Sequence, residues 1–368
     1  MAKDIFTALG LMSGTSMDGI DAALLRTDGQ RIIEPLAAMS FPYNRMMRCL
    51  LAQAMKEARG MTDRTARPGV IREAEKAVTE AHIAAVRAFR EEHDMEIGLI
   101  GFHGQTLLHR PEKRLTVQIG DGARLANASG VTTVWDMRAN DVAHGGQGAP
   151  LIPVYHRALA SGLERAPVAF VNIGGVANVT WIGGAGKLLA FDCGPGNALL
   201  DDWMMKHAGK PLDENGALAA AGRADEAVLR DYLASPFLAA RPPKSLDRGD
   251  FPAALAEHLS PADGAATLTE LTARAISRAS RWFPEPVKLW IITGGGRLNR
   301  HMMARIAANV AAPVAPAEAF GMDGDMMEAQ GWAYLAARCL KGLPITFPGT
   351  TGAPQPLSGG VVSRAQNP

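Results

Sequence analysis

The chain is poor in cysteine: three in 368 residues, at Cys49, Cys193 and Cys339, with no C-x-x-C pair. That spacing excludes a disulfide framework and a cysteine zinc site, and it fits a reducing compartment. Excess charge is also missing. The formal net charge is +1, so bulk electrostatics favour no nucleic acid or other polyanion. No basic stretch followed by a long apolar core opens the sequence. The apolar run Ile5–Met12 is too short for a signal or a span. The expectation is a cytoplasmic protein with no membrane and no nucleic-acid partner. Hydrophobic content of 47% and charged content of 20% predict packed cores, and 368 residues predict two domains.

One further absence lies inside a motif. Gly10-Leu-Met-Ser-Gly-Thr-Ser-Met-Asp-Gly-Ile-Asp21 looks like a phosphate cradle, yet it carries no lysine and a strand follows it instead of a helix. The pattern is an apolar strand (Ile5–Met12), a glycine loop, a strand from Ile20, a turn at Thr27–Gln30 and a third strand from Arg31. Helical periodicity covers Arg45–Ala58 and Ala74–Glu92, and short strands follow at Ile97–Phe102 and Val131–Trp135. About 160 residues after the first, the same order returns. Val168–Ile173, the loop reaching Asn178, Val179–Ile182, a turn and Lys187–Phe191 lead into helical stretches at Ala198–His207 and Thr267–Trp282. A strand, Val287–Ile292, then runs into Thr293-Gly-Gly-Gly296. This recurrence suggests a duplicated α/β domain, with the junction near Leu163–Pro167. The predicted domains are 1–163 and 164–339, with 340–368 packing back on the first.

Several residue groups are suited to chemistry. In the first loop, glycines allow close backbone approach, and Ser13, Thr15 and Ser16 add hydroxyls. Asp18 and Asp21 would repel bare phosphate, and they make sense beside a divalent cation. An ordinary turn between strands would read the same way. The loop Asn172–Asn178 repeats the device without a carboxylate. Gly294–Gly296 lies at a strand carboxyl end, where open α/β sheets bind ligands, although a tight strand–helix turn also accounts for it. Asp192, in Phe191-Asp-Cys-Gly-Pro-Gly-Asn197, ends an apolar strand. It suits a general base aimed into a site, or equally a turn-capping aspartate. The polar run Trp135–Pro150 offers Arg138, Asp141, His144 and Gln147 to a polyhydroxylated ligand, and Arg138 can hold a carboxylate bidentately. A solvated loop is the alternative there. His103, Gln105 and Thr106 are similar candidates.

The ordered set is specific where each motif alone is modest. Gly10–Asp21, Gly104-Gln-Thr106, Val117-Gln-Ile-Gly120, Asp141–Pro150, Asn172-Ile-Gly-Gly175, Phe191–Asn197 and Pro243-Lys-Ser245 occur in that order. Over about residues 8–350 the chain closely resembles the anhydro-N-acetylmuramic acid kinases. The resemblance implies the α/β fold of the sugar kinase, Hsp70 and actin superfamily: two ribonuclease-H-like domains with an interdomain active-site cleft. It implies ATP held by Gly14, Thr15, Ser16, Met17, Asp18, Gly19, Ile20 and Asp21. Asn172, Gly174 and Gly175 would form the second phosphate hairpin, with Gly294 and Gly295 near the nucleoside. Mg²⁺ would sit at Asp18. Asp192 would be the catalytic base and Glu328 a supporting catalytic group. Ser13, His103, Gln105, Thr106, Arg138 and Gln147 would bind the sugar.

The implied reaction opens 1,6-anhydro-N-acetylmuramic acid hydrolytically and phosphorylates O6 at the expense of ATP, within peptidoglycan recycling. A homodimer is expected, since dimers are the commonest assembly. The chain departs from the family pattern at Asp136-Met-Arg138, where Asp-Phe-Arg is frequent. It departs again after Pro243-Lys-Ser245, where it reads Leu246-Asp-Arg-Gly-Asp-Phe251. The rival expectations are a kinase for another anhydrosugar such as levoglucosan, and a non-catalytic actin-like nucleotide-binding protein.

Overall fold

The structure, a computed structural model, describes residues 5–14, 16–246 and 249–366. Thr15 of the first loop, and Asp247 and Arg248 of the departing loop, lie outside the described residues. The chain divides into two compact units. One takes the chain up to Ser161 and again from Glu328; the other is Gly162–Met327.

The first unit is built on β1 (Phe6–Met12), β2 (Gly19–Thr27), β3 (Ile33–Pro42), β4 (Leu99–Phe102), β5 (Gln105–Arg110), β6 (Leu115–Ile119) and β7 (Thr133–Trp135). Five of these form a sheet of order β7-β4-β1-β2-β3, extended beyond β7 by Val361–Ser363. β1, β2 and β3 are an antiparallel meander, while β4 runs parallel to β1 and β7 parallel to β4. β5 and β6 make a separate hairpin. The second unit holds β8 (Val168–Ile173), β9 (Val176–Ile182), β10 (Leu188–Pro195), β11 (Leu289–Thr293) and β12 (Val314–Pro316), in the order β10-β9-β8-β11-β12. Its first three strands are again antiparallel, and β11 and β12 are parallel additions. The two sheets therefore share one strand order, third-second-first-fourth-fifth, and the repeat read from element order is real. Each unit encloses its own apolar core.

The helix Met327–Leu340 belongs with the first unit, so the return to that unit begins at Glu328 and not near residue 340. The reason is a pair of glycines on adjacent parallel strands. Gly10 and Gly101 are register partners. A Cβ on Gly10 would lie 1.8 Å from the Ala329 carbonyl oxygen, and one on Gly101 would lie 2.2 Å from that of Trp332. Only glycine at both points lets the helix backbone rest directly on the sheet. Gly10, read from sequence as part of a phosphate cradle, is thus a packing residue.

Two loop expectations change. The glycine loop after β8 is only Gly174–Gly175. Asn172 lies within β8 and Asn178 within β9, where the two face each other in register. The run from Arg138 to Gln147 is not wholly loop, since Ala139–Ala143 is a short helix.

Candidate active site

In the first unit the carboxyl ends of β1 and β3 border a cavity of about 370 Å³. It is lined by Gly14, Ser16, Asp18, Gly19, Ile20, Asp21 and Ser40–Pro42. Six residues of the first glycine motif are therefore gathered in one place. Met17 is not among the lining residues; its φ of 59° and its N–H bond to the Gly14 carbonyl (3.1 Å) make the turn. Asp18 is exposed, and its carbonyl accepts the Tyr43 N–H at 2.8 Å. Asp21 accepts a hydrogen bond from the Ser40 hydroxyl at 2.6 Å. Glu328, half-buried at the start of its helix, lies within electrostatic reach of Asp21 and Arg138. Burial pushes its carboxyl up, the Asp21 charge pushes it further, and Arg138 partly opposes both.

The sugar-site candidates meet around the ends of β4 and β7. Ser13 is buried and donates its hydroxyl to the Gly104 carbonyl at 2.7 Å. Gln105 is also buried. Its amide N–H donates to the Gly14 carbonyl at 2.9 Å, while its Oε1 has no partner among the described residues. Arg138 donates to the Gly148 carbonyl at 2.9 Å and to His103 Nε2 at 3.1 Å. Because a guanidinium only donates, His103 Nε2 is the acceptor and Nδ1–H donates to the Ser13 carbonyl at 2.8 Å. Burial, reinforced by the Arg138 charge, pushes the His103 imidazole down to about 3, so it is neutral. Thr106 stands half-buried on β5 opposite Gln118. Gln147 is fixed through its backbone: its N–H donates to the Thr351 carbonyl at 2.7 Å, and its carbonyl accepts from His109 Nε2 at 2.8 Å. Asp141 holds this loop from inside, accepting the Gly148 N–H at 2.7 Å and the Thr351 hydroxyl at 2.8 Å.

In the second unit three glycine turns are tied together at the carboxyl ends of β8, β10 and β11. The N–H groups of Gly196 and Ala198 bond the Gly175 carbonyl, and that of Asn197 bonds the Gly174 carbonyl at 2.7 Å. Asn197 also donates its side-chain amide to the Ile173 carbonyl at 3.0 Å. Gly294 (φ 72°) passes so close to Asn172 that a Cβ would lie 2.3 Å from Asn172 Oδ1. Arg297, only 8% exposed, braces this turn by donating to the Gly294 carbonyl, Glu318 and Asp325. Beside it opens a cavity of about 790 Å³. Gly295, Asn197, Arg297, Asn299, Leu212 and Leu298 are among its lining residues. That volume is in the range of small-molecule pockets. Sequence reasoning missed Arg297 and the 212–215 wall of this cavity; the Thr293–Gly296 turn was the one local signal.

Asp192 does not end its strand as the sequence suggested: β10 runs on to Pro195, and Asp192 lies within it next to a bulge between it and Gly194. Its N–H donates to the Lys244 carbonyl at 3.2 Å, and its Oδ2 accepts the Leu246 N–H at 2.8 Å. Lys244 of the Pro243-Lys-Ser245 motif, quoted from sequence without a role, therefore holds the backbone of the candidate base, and Leu246 just after the motif holds its carboxylate. Lys244 Nζ donates to the Phe237 carbonyl at 2.9 Å and lies over the Phe237 ring.

A duplicated ribonuclease-H-like sheet, glycine turns at strand carboxyl ends and a carboxylate fixed on the third strand of the second unit define an α/β protein of the sugar kinase, Hsp70 and actin type. Within that class the chain belongs to the anhydro-N-acetylmuramic acid kinase family, which it matches over residues 6–365. It is 50% identical to an anhydro-N-acetylmuramic acid kinase of Agrobacterium fabrum, over 98% of this chain and all of the relative. It is 52% identical to one of Rhodopseudomonas palustris at the same coverage. Among solved structures, a ROK family glucokinase from Streptomyces griseus, in complex with glucose and AMPPNP, covers 90% of the chain. Its TM-score of 0.43 at 14% identity is too remote to carry an argument.

Proposed function

We propose that the protein is an ATP-dependent kinase that opens 1,6-anhydro-N-acetylmuramic acid with water and phosphorylates its O6, giving N-acetylmuramate 6-phosphate and ADP in cell-wall recycling. Family membership over nearly the whole chain supports the substrate. The observation that carries the chemistry is Asp192, a carboxylate beside the bulge in β10 with one oxygen fixed by the Leu246 N–H.

The substrate's O6 is tied to C1, so no free hydroxyl exists there to phosphorylate. Asp192 removes a proton from water as the water oxygen bonds to C1 and the C1–O6 bond breaks. The released O6 bonds to the γ-phosphorus of ATP, and the bond from that phosphorus to the β–γ bridging oxygen breaks, releasing ADP. The proton on Asp192 then passes to solvent. Backbone N–H groups of the Gly14–Gly19 and Gly174–Gly175 turns stabilise the transferred group, and the cavity beside Gly295 takes the nucleoside. Glu328 supports from the first unit. Gln105 and Arg138, each with a buried polar atom left without a partner among the described residues, offer hydrogen bonds to the sugar.

The first cavity fits Mg²⁺. Magnesium keeps several waters and takes one or two carboxylates along with substrate phosphates. Asp18 and Asp21 line one cavity, and no group of three or more potential metal ligands occurs among the described residues. Bound there, the ion would offset the negative charge of the transferring phosphoryl group. The reading includes a cytoplasmic homodimer. All three cysteines are free, and no helix among the described residues is long and apolar enough to cross a membrane.

A coupled ADP-release assay with 1,6-anhydro-N-acetylmuramic acid tests the activity, with N-acetylmuramate and levoglucosan as controls. ADP should form with the anhydromuramic sugar alone, and ¹⁸O from labelled water should appear at C1 and not in the phosphate. Turnover of levoglucosan in its place, or label in the phosphate, defeats the reading.

A further inference from the structure

Behind the first glycine loop lies a buried polar cluster that the proposed mechanism does not use: Ser13, Tyr43 and His82, which are 0%, 7% and 0% exposed. His82 comes from the helix Val70–His93. Its Nδ1 lies 2.7 Å from the Val78 carbonyl, which only accepts, so Nδ1 carries the hydrogen. Burial pushes the ring down to about 4, so it is neutral and Nε2 is an acceptor. Nε2 lies 3.4 Å from the Ser13 hydroxyl, at the outer limit of a hydrogen bond. The same hydroxyl donates to the Gly104 carbonyl at 2.7 Å, so a single hydrogen faces two acceptors. The second hydroxyl of the cluster belongs to Tyr43. It is buried and has no partner in hydrogen-bond geometry among the described residues, yet it lies close enough for Ser13 to act on it. Burial pushes the phenol up to about 12 and Ser13 opposes part of that rise, so the phenol keeps its proton and offers it to the cluster. Tyr43 also reaches the far end of the loop, where its N–H donates to the Asp18 carbonyl at 2.8 Å. Between these two points lie Gly14 and Ser16, which line the first cavity.

Resting on the proposed activity, we infer that Tyr43 and His82 are positioning residues for the phosphate loop, acting through the inward-facing hydroxyl of Ser13. Tyr43 staples the loop from outside, its backbone at Asp18 and its hydroxyl at Ser13. His82 sets the orientation of the Ser13 hydroxyl from beneath. The need for such a staple follows from the loop's composition. Glycine at 14 and 19 gives the backbone freedom, so its order has to come from neighbouring elements. Backbone N–H groups stabilise a transferring phosphoryl group only when they are fixed before the charge develops.

The test combines calorimetric affinity for AMPPNP, a non-hydrolysable ATP analogue, in Mg²⁺ with steady-state kinetics on the anhydromuramic sugar. The proteins are wild type, Tyr43→Phe, His82→Leu, His82→Gln, Ser13→Ala and the double variant Ser13→Ala/Tyr43→Phe. Tyr43→Phe keeps the ring and the backbone bond to Asp18 and removes only the hydroxyl. It should raise the AMPPNP Kd and the KM for ATP about fivefold, the size of one lost hydrogen bond, while KM for the sugar changes less than about twofold. His82→Leu should act in the same direction, and His82→Gln, which keeps an acceptor, should recover part of the loss. On the Ser13→Ala background Tyr43→Phe should add nothing, because both substitutions act through one oxygen. Unchanged AMPPNP affinity in Tyr43→Phe overturns the inference. A loss that falls equally on nucleotide and sugar, or that adds in full to Ser13→Ala, also overturns it, since a merely structural tyrosine would behave so. Tyr43→Phe decides the matter even if His82→Leu fails to fold. Absence of turnover by wild type defeats the proposed activity, while the AMPPNP comparison still decides this inference.

Discussion

At the scale of single residues, two carboxylates divide the labour. Asp192→Asn keeps an oxygen for the Leu246 N–H and removes the basic site. It should retain the melting temperature and ATP binding but lose roughly 10²- to 10⁴-fold in kcat, the usual contribution of a positioned base. Turnover within a few-fold of wild type would take Asp192 out of the mechanism. Asp18 faces solvent in the first cavity. Asp18→Ala should raise the Mg²⁺ concentration needed for half-maximal rate and the KM for ATP, leaving sugar binding nearly unchanged by calorimetry. An unaltered Mg²⁺ dependence would remove it from the metal site.

At the scale of elements, the first glycine motif splits into two jobs. Gly10 lies in β1 beneath the Met327–Leu340 helix, with no room for a Cβ. Gly14 lies in the turn, where the nearest atom to an added Cβ is Ser16 Oγ at 3.5 Å, an ordinary contact. Gly10→Val should therefore lower the urea midpoint markedly, by about 3 kcal/mol or more of stability, because backbone and not a flexible side chain blocks the new atoms. Gly14→Ala should leave the midpoint in place and raise KM for ATP. If both variants melt alike, the division is wrong. The sequence shows two glycines four residues apart on an apolar run and cannot tell a packing glycine from a binding one. That distinction depends on Ala329, more than 300 residues away in the chain.

At the scale of the whole molecule, buried neutral histidines make the first unit sensitive to acid. Burial pushes His82 and His109 down to about 4 and His103 and His156 to about 3, from an ordinary value of 6.5. Between those folded values and 6.5 the unfolded chain binds more protons than the folded one. Stability therefore rises with pH across that window and is lost as pH falls below about 6.5, with a limiting slope of roughly 1.4 kcal/mol per pH unit for each histidine. All four lie in the first unit, in its part before Ser161. Hydrogen exchange read by peptide at pH 7.5 and 5.5 should show protection falling first in that unit. Equal loss in both units would contradict this account.

What the sequence alone determined is local. Apolar runs broken by glycine placed β1, β2, β8 and β9 within a few residues. The helix Arg45–Ala58 was legible from its 3.6-residue period. The recurrence of strand, glycine turn and strand exposed the duplication, and Asp192 stood out because a carboxylate interrupts an apolar strand before Gly-Pro-Gly. Tertiary structure decided which residues meet. It put Glu328 with the first unit, set His103 and Trp332 against Arg138, and brought the Leu246 N–H to Asp192 across more than 50 residues. Such contacts leave no periodic trace. They arise when a sheet closes and a helix settles onto glycines, and they depend on the shape of the whole unit rather than on any one stretch of chain.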